Sequence, residues 1–191
     1  MKTILVLLVF IGMLSVGSYA TTVSVSSVNV QQNSGFLTYV YYETANAGTT
    51  TTPAADTSLT SPATTGSYTI ASAGTDYIWS TQFAAARSIP AGSWVLDLWV
   101  SASKAGTLTV SIVSTNSAGT AQSTILSTGT TASITTTKTQ VLTRFTGAAG
   151  TVPASGYLRI KLTGPSGTTF TVYWGKAQLT DFQFVMSAPT S

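Results

Sequence analysis

The fold is decided by residues 94–115, WVLDLWVSASKAGTLTVSIVST. In both halves of this stretch an apolar residue recurs at every second position, which is the period of a β-strand with one buried face. The two halves predict strands over residues 94–103 and 107–115. Their inward rows are Trp94, Leu96, Leu98 and Val100 in the first strand and Leu108, Val110 and Ile112 in the second. Asp97 and Trp99 point to the opposite, outer face.

The same alternation continues along the chain after residue 20, and no window there has the apolar period of a helix. Short strands of this kind predict an all-β domain. We expect a two-sheet β-sandwich of jelly-roll type with an N-terminal β-arm. The predicted strands cover residues 22–30, 36–43, 67–71, 77–83, 94–103, 107–115, 122–127, 136–146, 156–163, 168–175 and 179–186.

The composition excludes several kinds of chemistry. Only 7% of the 191 residues are charged, and the chain has no Cys and no His. It therefore has no thiol nucleophile, disulfide, zinc site of the usual kind or imidazole base. The five acidic residues are scattered, which does not predict a calcium site or a pair of glycosidase carboxylates. We predict no catalytic residues, no enzymatic activity, no cofactor and no bound metal.

The N-terminal segment is typical of export. Lys2 precedes an apolar run over residues 4–16, and the small residues Ser18 and Ala20 follow it. This is the layout of a secretory signal peptide with cleavage after Ala20, and the run is shorter than the about 20 residues of a spanning helix. We predict residues 1–20 to be a signal peptide and the protein to be secreted or on the cell surface. The alternative is a pilin-like protein that retains this segment as an apolar helix.

Residues 21–35 are predicted to form a β-arm and connector in front of a sandwich domain over residues 36–191. Val23 and Val25 are expected on one face of the arm, and Val28 and Val30 on the other unless a bulge intervenes at Ser26 and Ser27. Such a segment can add a strand to the sheet of a neighbouring molecule, and head-to-tail repetition of that contact builds a filament. The alternative is that the arm pairs within its own domain.

Residues 44–66, TANAGTTTTPAADTSLTSPATTG, contain a single bulky apolar residue, Leu59. A segment of this composition cannot supply a core, so we predict a long solvent-facing loop. Its Thr, Ser and Pro content resembles that of O-glycosylated stretches. The candidate O-glycosylation sites are Thr49, Thr50, Thr51, Thr52, Thr57, Ser58, Thr60 and Ser61.

Aromatic residues supply a second candidate site. An exposed ring beside an acid or an amide can stack on a sugar ring, and Asp97, Trp99 and Tyr173 are our candidates for such a platform. Arg159 is a further residue that we expect near Tyr173. The alternative is that the aromatic rings fill the core or a subunit interface.

Two families share parts of this pattern. Residues 89–94, 106–110, 156–160 and 170–175 have spacings that resemble the strand layout of jelly-roll carbohydrate-binding modules, over roughly residues 75–186. This resemblance implies sugar binding. The signal segment, the adjacent β-arm and the Cys-free, Thr- and Ser-rich sandwich resemble subunits of archaeal extracellular filaments built by donor-strand exchange. That resemblance implies a homopolymer whose arm fills a groove in the next subunit, and viral surface fibres have a similar composition.

We therefore expect a secreted structural protein that polymerises into an extracellular filament. The alternatives are a carbohydrate-binding or adhesin-like module and a pilin-like protein. The expected partners are other copies of the chain and surface glycans, with no stable membrane span in the mature form. Loss of residues 1–20 leaves seven basic and five acidic side chains, a balance that does not predict nucleic-acid binding.

Overall fold

The computed structural model describes residues 36–45, 52–54 and 56–187, apart from the side chains of Phe36 and Ser187. This part of the chain consists of β-strands and connecting segments without a helix, so the all-β prediction is confirmed. It accordingly contains no helix long and apolar enough to cross a membrane. The strands are β1 (Phe36–Glu43), β2 (Thr57–Ser58), β3 (Thr65–Ile70), β4 (Thr75–Trp79), β5 (Arg87–Ile89), β6 (Gly92–Ala102), β7 (Thr109–Thr115), β8 (Ala121–Thr130), β9 (Thr139–Gly147), β10 (Gly150–Val152), β11 (Tyr157–Thr163), β12 (Phe170–Gly175) and β13 (Asp181–Ser187).

Antiparallel pairing joins these strands into a β-sandwich. Sheet A has the order β2-β1-β13-β6-β12-β3, with β9 on the other edge of β6, and sheet B has the order β4-β11-β7-β8. A further pair joins β5 to β10. Strand β6 is the centre of sheet A because β9 covers one of its edges while β13 and β12 share the other, end to end.

The core lies between sheets A and B. The predicted inward rows are confirmed, since Leu98 of β6 and Leu158 of β11 are fully buried, as are their alternate neighbours. Aromatic rings fill one end of the core. Trp94 stacks on Phe184 with ring centroids 4.2 Å apart, and Tyr41 stacks on both Phe182 and Phe184 at 5.3 and 5.7 Å. Burial of these rings and aliphatic rows stabilises the sandwich.

The prediction of an open loop over residues 44–66 is wrong in part. This segment includes β2, which pairs with Tyr42 and Glu43 of β1, and the first residues of β3. Thr57 is buried and its hydroxyl donates to the carbonyl oxygen of Trp79 at 3.1 Å. The carboxylate of Asp56 accepts the Trp79 amide, also at 3.1 Å. Polar side chains hold this segment against the edge of β4, so its lack of apolar residues does not leave it in solvent.

The remaining domain predictions fall outside the described residues. These are the signal peptide over residues 1–20 and the β-arm and connector over residues 21–35. Jelly-roll connectivity stays a prediction.

Candidate functional site

The strand register brings the three predicted platform residues together on the outer face of sheet A. Trp99 of β6 lies directly opposite Tyr173 of β12. Directly opposed residues of antiparallel strands share a face and are near neighbours. Asp97 lies two residues before Trp99 on the same strand and therefore on the same face. We call this surface the outer site.

A second carboxyl group lies beside Asp97. Asp181 of β13 is its direct cross-strand partner, and both residues are 7% exposed. Each accepts one side-chain hydrogen bond from an amide: Gln140 Nε2 donates to Asp97 Oδ2 at 2.7 Å, and Gln183 Nε2 donates to Asp181 Oδ1 at 3.2 Å. Asp97 Oδ1 is buried, and no described residue forms a hydrogen bond with it. The outer site thus contains two adjacent carboxyl groups and two glutamine amides.

Burial changes the acidity of this pair. It raises the pKa of Asp181 to about 6, the bond from Gln183 opposes the rise, and the charge of Asp97 adds to it. Burial also raises the pKa of Asp97, against the effect of its bond from Gln140. Two carboxyl groups this close resist carrying two charges at once. Protonation of Asp181 therefore falls in the weakly acidic range, and the pKa of Asp97 is shifted in the same direction.

Hydrogen bonds join the backbones of Trp99 and Tyr173 and hold the Tyr173 ring. The Trp99 amide donates to Thr180 Oγ1 at 3.0 Å, and that hydroxyl donates to the Tyr173 carbonyl oxygen at 2.7 Å. The Tyr173 hydroxyl shares a hydrogen bond with Ser101 Oγ at 3.2 Å. Lys138 Nζ lies 4.8 Å from the centre of the Tyr173 ring. Both residues are half-buried, so each ring keeps part of its surface open to solvent.

Sequence reasoning missed Asp181, Gln140 and Gln183 as residues of the outer site. One signal was available for Asp181, because the alternation places Phe182 and Phe184 inward and Asp181 outward. The expectation that Arg159 lies near Tyr173 is wrong. Arg159 belongs to sheet B, where its guanidinium carbon lies 5.4 Å from the centre of the Tyr77 ring.

The other predicted sites are only partly described. Val23, Val25, Val28 and Val30 lie outside the described residues, as do Thr49, Thr50 and Thr51. Thr52, Thr60 and Ser61 are exposed and Ser58 is half-buried. Thr57 differs from the other glycosylation candidates. Its hydroxyl is buried and donates to the Trp79 carbonyl oxygen, so the folded domain does not expose it to solvent. Within the described ranges, no three acidic residues are grouped as ligands for a metal ion.

No protein-family model matches this chain, and no curated protein matches it. Solved structures are similar to parts of this chain. Two crystal structures of a CocE/NonD family hydrolase from Staphylococcus aureus match 81% and 80% of this chain with TM-scores of 0.60 and 0.58, at 10% identity. An aminopeptidase from a marine sediment Thaumarchaeota archaeon matches 60% of this chain and 26% of its own at 9% identity and a TM-score of 0.49. This chain spans only 37% of the hydrolase, so that likeness concerns the fold alone.

Proposed function

We propose that the protein binds carbohydrate at the outer site. The observation that carries this proposal is the cross-strand pair of Trp99 and Tyr173 next to the carboxyl groups of Asp97 and Asp181. Half-buried rings offer apolar surface to the C–H face of a sugar. The exposed Gln140 amide donates one N–H to Asp97 and has a second N–H to donate to a sugar hydroxyl. The buried carboxyl groups hold the two glutamine amides in position.

The rigidity of the outer site favours binding. Both rings are attached to central strands of sheet A, and Thr180 ties their backbones together. A surface that is already ordered loses little conformational entropy when a ligand arrives. The outer site lies on the face of a sheet rather than in an enclosed pocket, which suits an extended polysaccharide, so we expect contact with several sugar units.

The test is binding to a panel of neutral polysaccharides, measured by affinity electrophoresis with the purified protein. Tyr173→Ala should weaken binding about tenfold, because it removes the stacking surface of one ring. Tyr77→Ala is the matched control, since Tyr77 is also a half-buried tyrosine with a cation over its ring, but on sheet B. Equal weakening by the two variants, or no binding to any polysaccharide, would contradict the proposal.

We also propose that the protein polymerises by donor-strand exchange into an extracellular filament. The supporting observation is the edge of sheet A at β1. One edge of β1 pairs with β13 along seven positions, whereas β2 covers the other edge only at Tyr42 and Glu43. In the described ranges, residues 37–41 have no strand on that edge. An uncovered strand edge accepts an added strand, and the predicted arm over residues 21–30 would supply it from a neighbouring copy.

The second proposal is tested by deleting residues 21–30 and imaging the product by electron microscopy. Filaments should be lost, while circular dichroism should still report a folded β domain. Deletion of residues 49–52, a Thr-rich stretch outside the arm, is the control and should leave filaments intact. Filaments that persist without residues 21–30 would show that the arm is not the polymerising element.

A further inference from the structure

The outer face of sheet B is basic and aromatic. Lys161 of β11 lies directly between Tyr77 of β4 and Ser111 of β7. Arg159, two residues earlier on β11, lies between Trp79 and Val113 in the same way. Residues two apart on a strand share a face, so both cations and the Tyr77 ring are on one surface. We call it the basic face.

Aromatic rings hold the guanidinium group of Arg159 in place. Its central carbon lies 5.4 Å from the centre of the Tyr77 ring and 5.5 Å from that of Trp79. Tyr157 packs edge-on against Trp79 with centroids 6.1 Å apart. These contacts are within the range of cation–π attraction. They fix the plane of the guanidinium group without using its N–H donors.

Those donors are poorly used within the protein. Arg159 Nη1 reaches the Gly119 carbonyl oxygen only at 3.5 Å. Arg159 Nε has no partner among the described residues but is buried, so the terminal Nη groups are the donors left for a ligand. A guanidinium group carries five N–H donors in a planar fork. An ordered fork with unused donors is suited to an anion with two oxygen atoms, such as a carboxylate or a sulfate.

In the part of the chain that the structure describes, the basic face carries no exposed acidic side chain from the strands of sheet B. The strands of sheet B contain one acidic residue, Asp76, which lies opposite Leu162 and is buried. Asp56 lies at the edge of β4, where it is buried and bonded to the Trp79 amide. A ligand on the basic face therefore meets two positive charges, half-buried tyrosine rings and the hydroxyl of Ser111.

We propose that the basic face binds an anionic polysaccharide, in which the sugar rings carry carboxylate or sulfate groups. The fork of Arg159 and the ammonium group of Lys161 bind the anionic groups, and Tyr77 contacts the sugar ring. Two cations are few for nucleic acid, whose affinity depends on many phosphate contacts. This site belongs to the other sheet and does not depend on the outer site.

The test compares dextran sulfate, polygalacturonate, unsubstituted dextran and duplex DNA by affinity electrophoresis at low salt. We expect the protein to bind one or both anionic polysaccharides. We expect no binding of dextran to the basic face. Lys161→Gln and Arg159→Lys should each weaken that binding about tenfold, the second because it keeps the charge but removes the fork. Lys176→Gln is the matched control, because it removes one charge from the exposed turn between β12 and β13.

Three outcomes would overturn the proposal. Equal weakening of binding by Lys176→Gln and Lys161→Gln would mean that the polymer is attracted by net charge alone. Tighter binding to DNA than to either anionic polysaccharide would assign the face to nucleic acid. Failure of both anionic polymers to bind would remove the site, whatever the result at the outer site. Tyr173→Ala should keep the binding of the anionic polymer, which separates this proposal from the previous one.

Discussion

Replacement of Asp181 by Asn is the sharpest test of the electrostatics of sheet A. The Asp181 carboxyl group is buried directly opposite Asp97, and burial raises its pKa to about 6. Above that pH the native state holds a buried negative charge beside a second carboxyl group. The side-chain amide of asparagine has nearly the same shape as the Asp181 carboxyl group and carries no charge. We therefore expect Asp181→Asn to stabilise the protein near neutral pH.

The size of the effect follows from the pKa. The ordinary value is 3.8 and the folded value is about 6. Because the folded state binds the proton more tightly, the free energy of unfolding falls as the pH rises from about 4 to about 6, and stays lower above that range. Two pKa units correspond to about 3 kcal/mol. We expect a gain of about 2 kcal/mol at about pH 8, because the Asn variant keeps only part of the bond from Gln183.

The assay is urea unfolding followed by tryptophan fluorescence at several pH values between about 4 and 8. The difference between Asp181→Asn and the unaltered protein should be near zero at about pH 4 and positive at about pH 8. Asp56→Asn is the control, because the Asp56 carboxylate accepts the Trp79 amide and its loss should destabilise the protein at about pH 8. A difference that does not change with pH would refute the reasoning.

Two further predictions concern packing. Trp94→Ala should lower the free energy of unfolding by about 3–5 kcal/mol, because Trp94 is buried and stacked on Phe184 with ring centroids 4.2 Å apart. Its control, Leu142→Ala, should change the free energy of unfolding little, because the Leu142 side chain is 49% exposed. Gly129→Ala should cost about 1–3 kcal/mol, because a Cβ atom there would lie 2.5 Å from Phe145 Cδ1; Gly92→Ala meets nothing within 4 Å and should be neutral. Urea unfolding measures all four, and a control as destabilised as its partner variant would contradict the packing argument.

The strands with clear alternation could be predicted from the sequence, and the shortest ones could not. Strand β1 has the predicted bounds, and the inward rows of β6 and β11 are correct. Strands β2, β5 and β10 have two or three residues each. So short a segment shows no period, and its pairing partner is remote in the sequence. Register, rather than local pattern, defines these strands.

The two rings and Asp97 of the outer site were predictable, but the pairing of Asp97 with Asp181 was not. Trp99 and Tyr173 could be placed outward by alternation alone. The pairing of Asp97 with Asp181 depends on which residues of β6 and β13 stand opposite each other, and a shift of one residue would separate them. Asp97 was expected on the outer face, and it is there, yet it is buried. Neighbouring side chains on that face cover it, which a strand pattern cannot reveal.

The pairing of β1 with β13 also governs when the fold can form. These are the first and last described strands, and they pair along their length. When the chain is made from the N-terminus, β2 can pair with Tyr42 and Glu43 early, but the edge of β1 that pairs with β13 stays open until residues 181–187 have been synthesised. Closure of sheet A is therefore a late event that depends on contacts distant in sequence, and such contacts form slowly. The domain is expected to fold only after its synthesis is complete, as one unit rather than strand by strand.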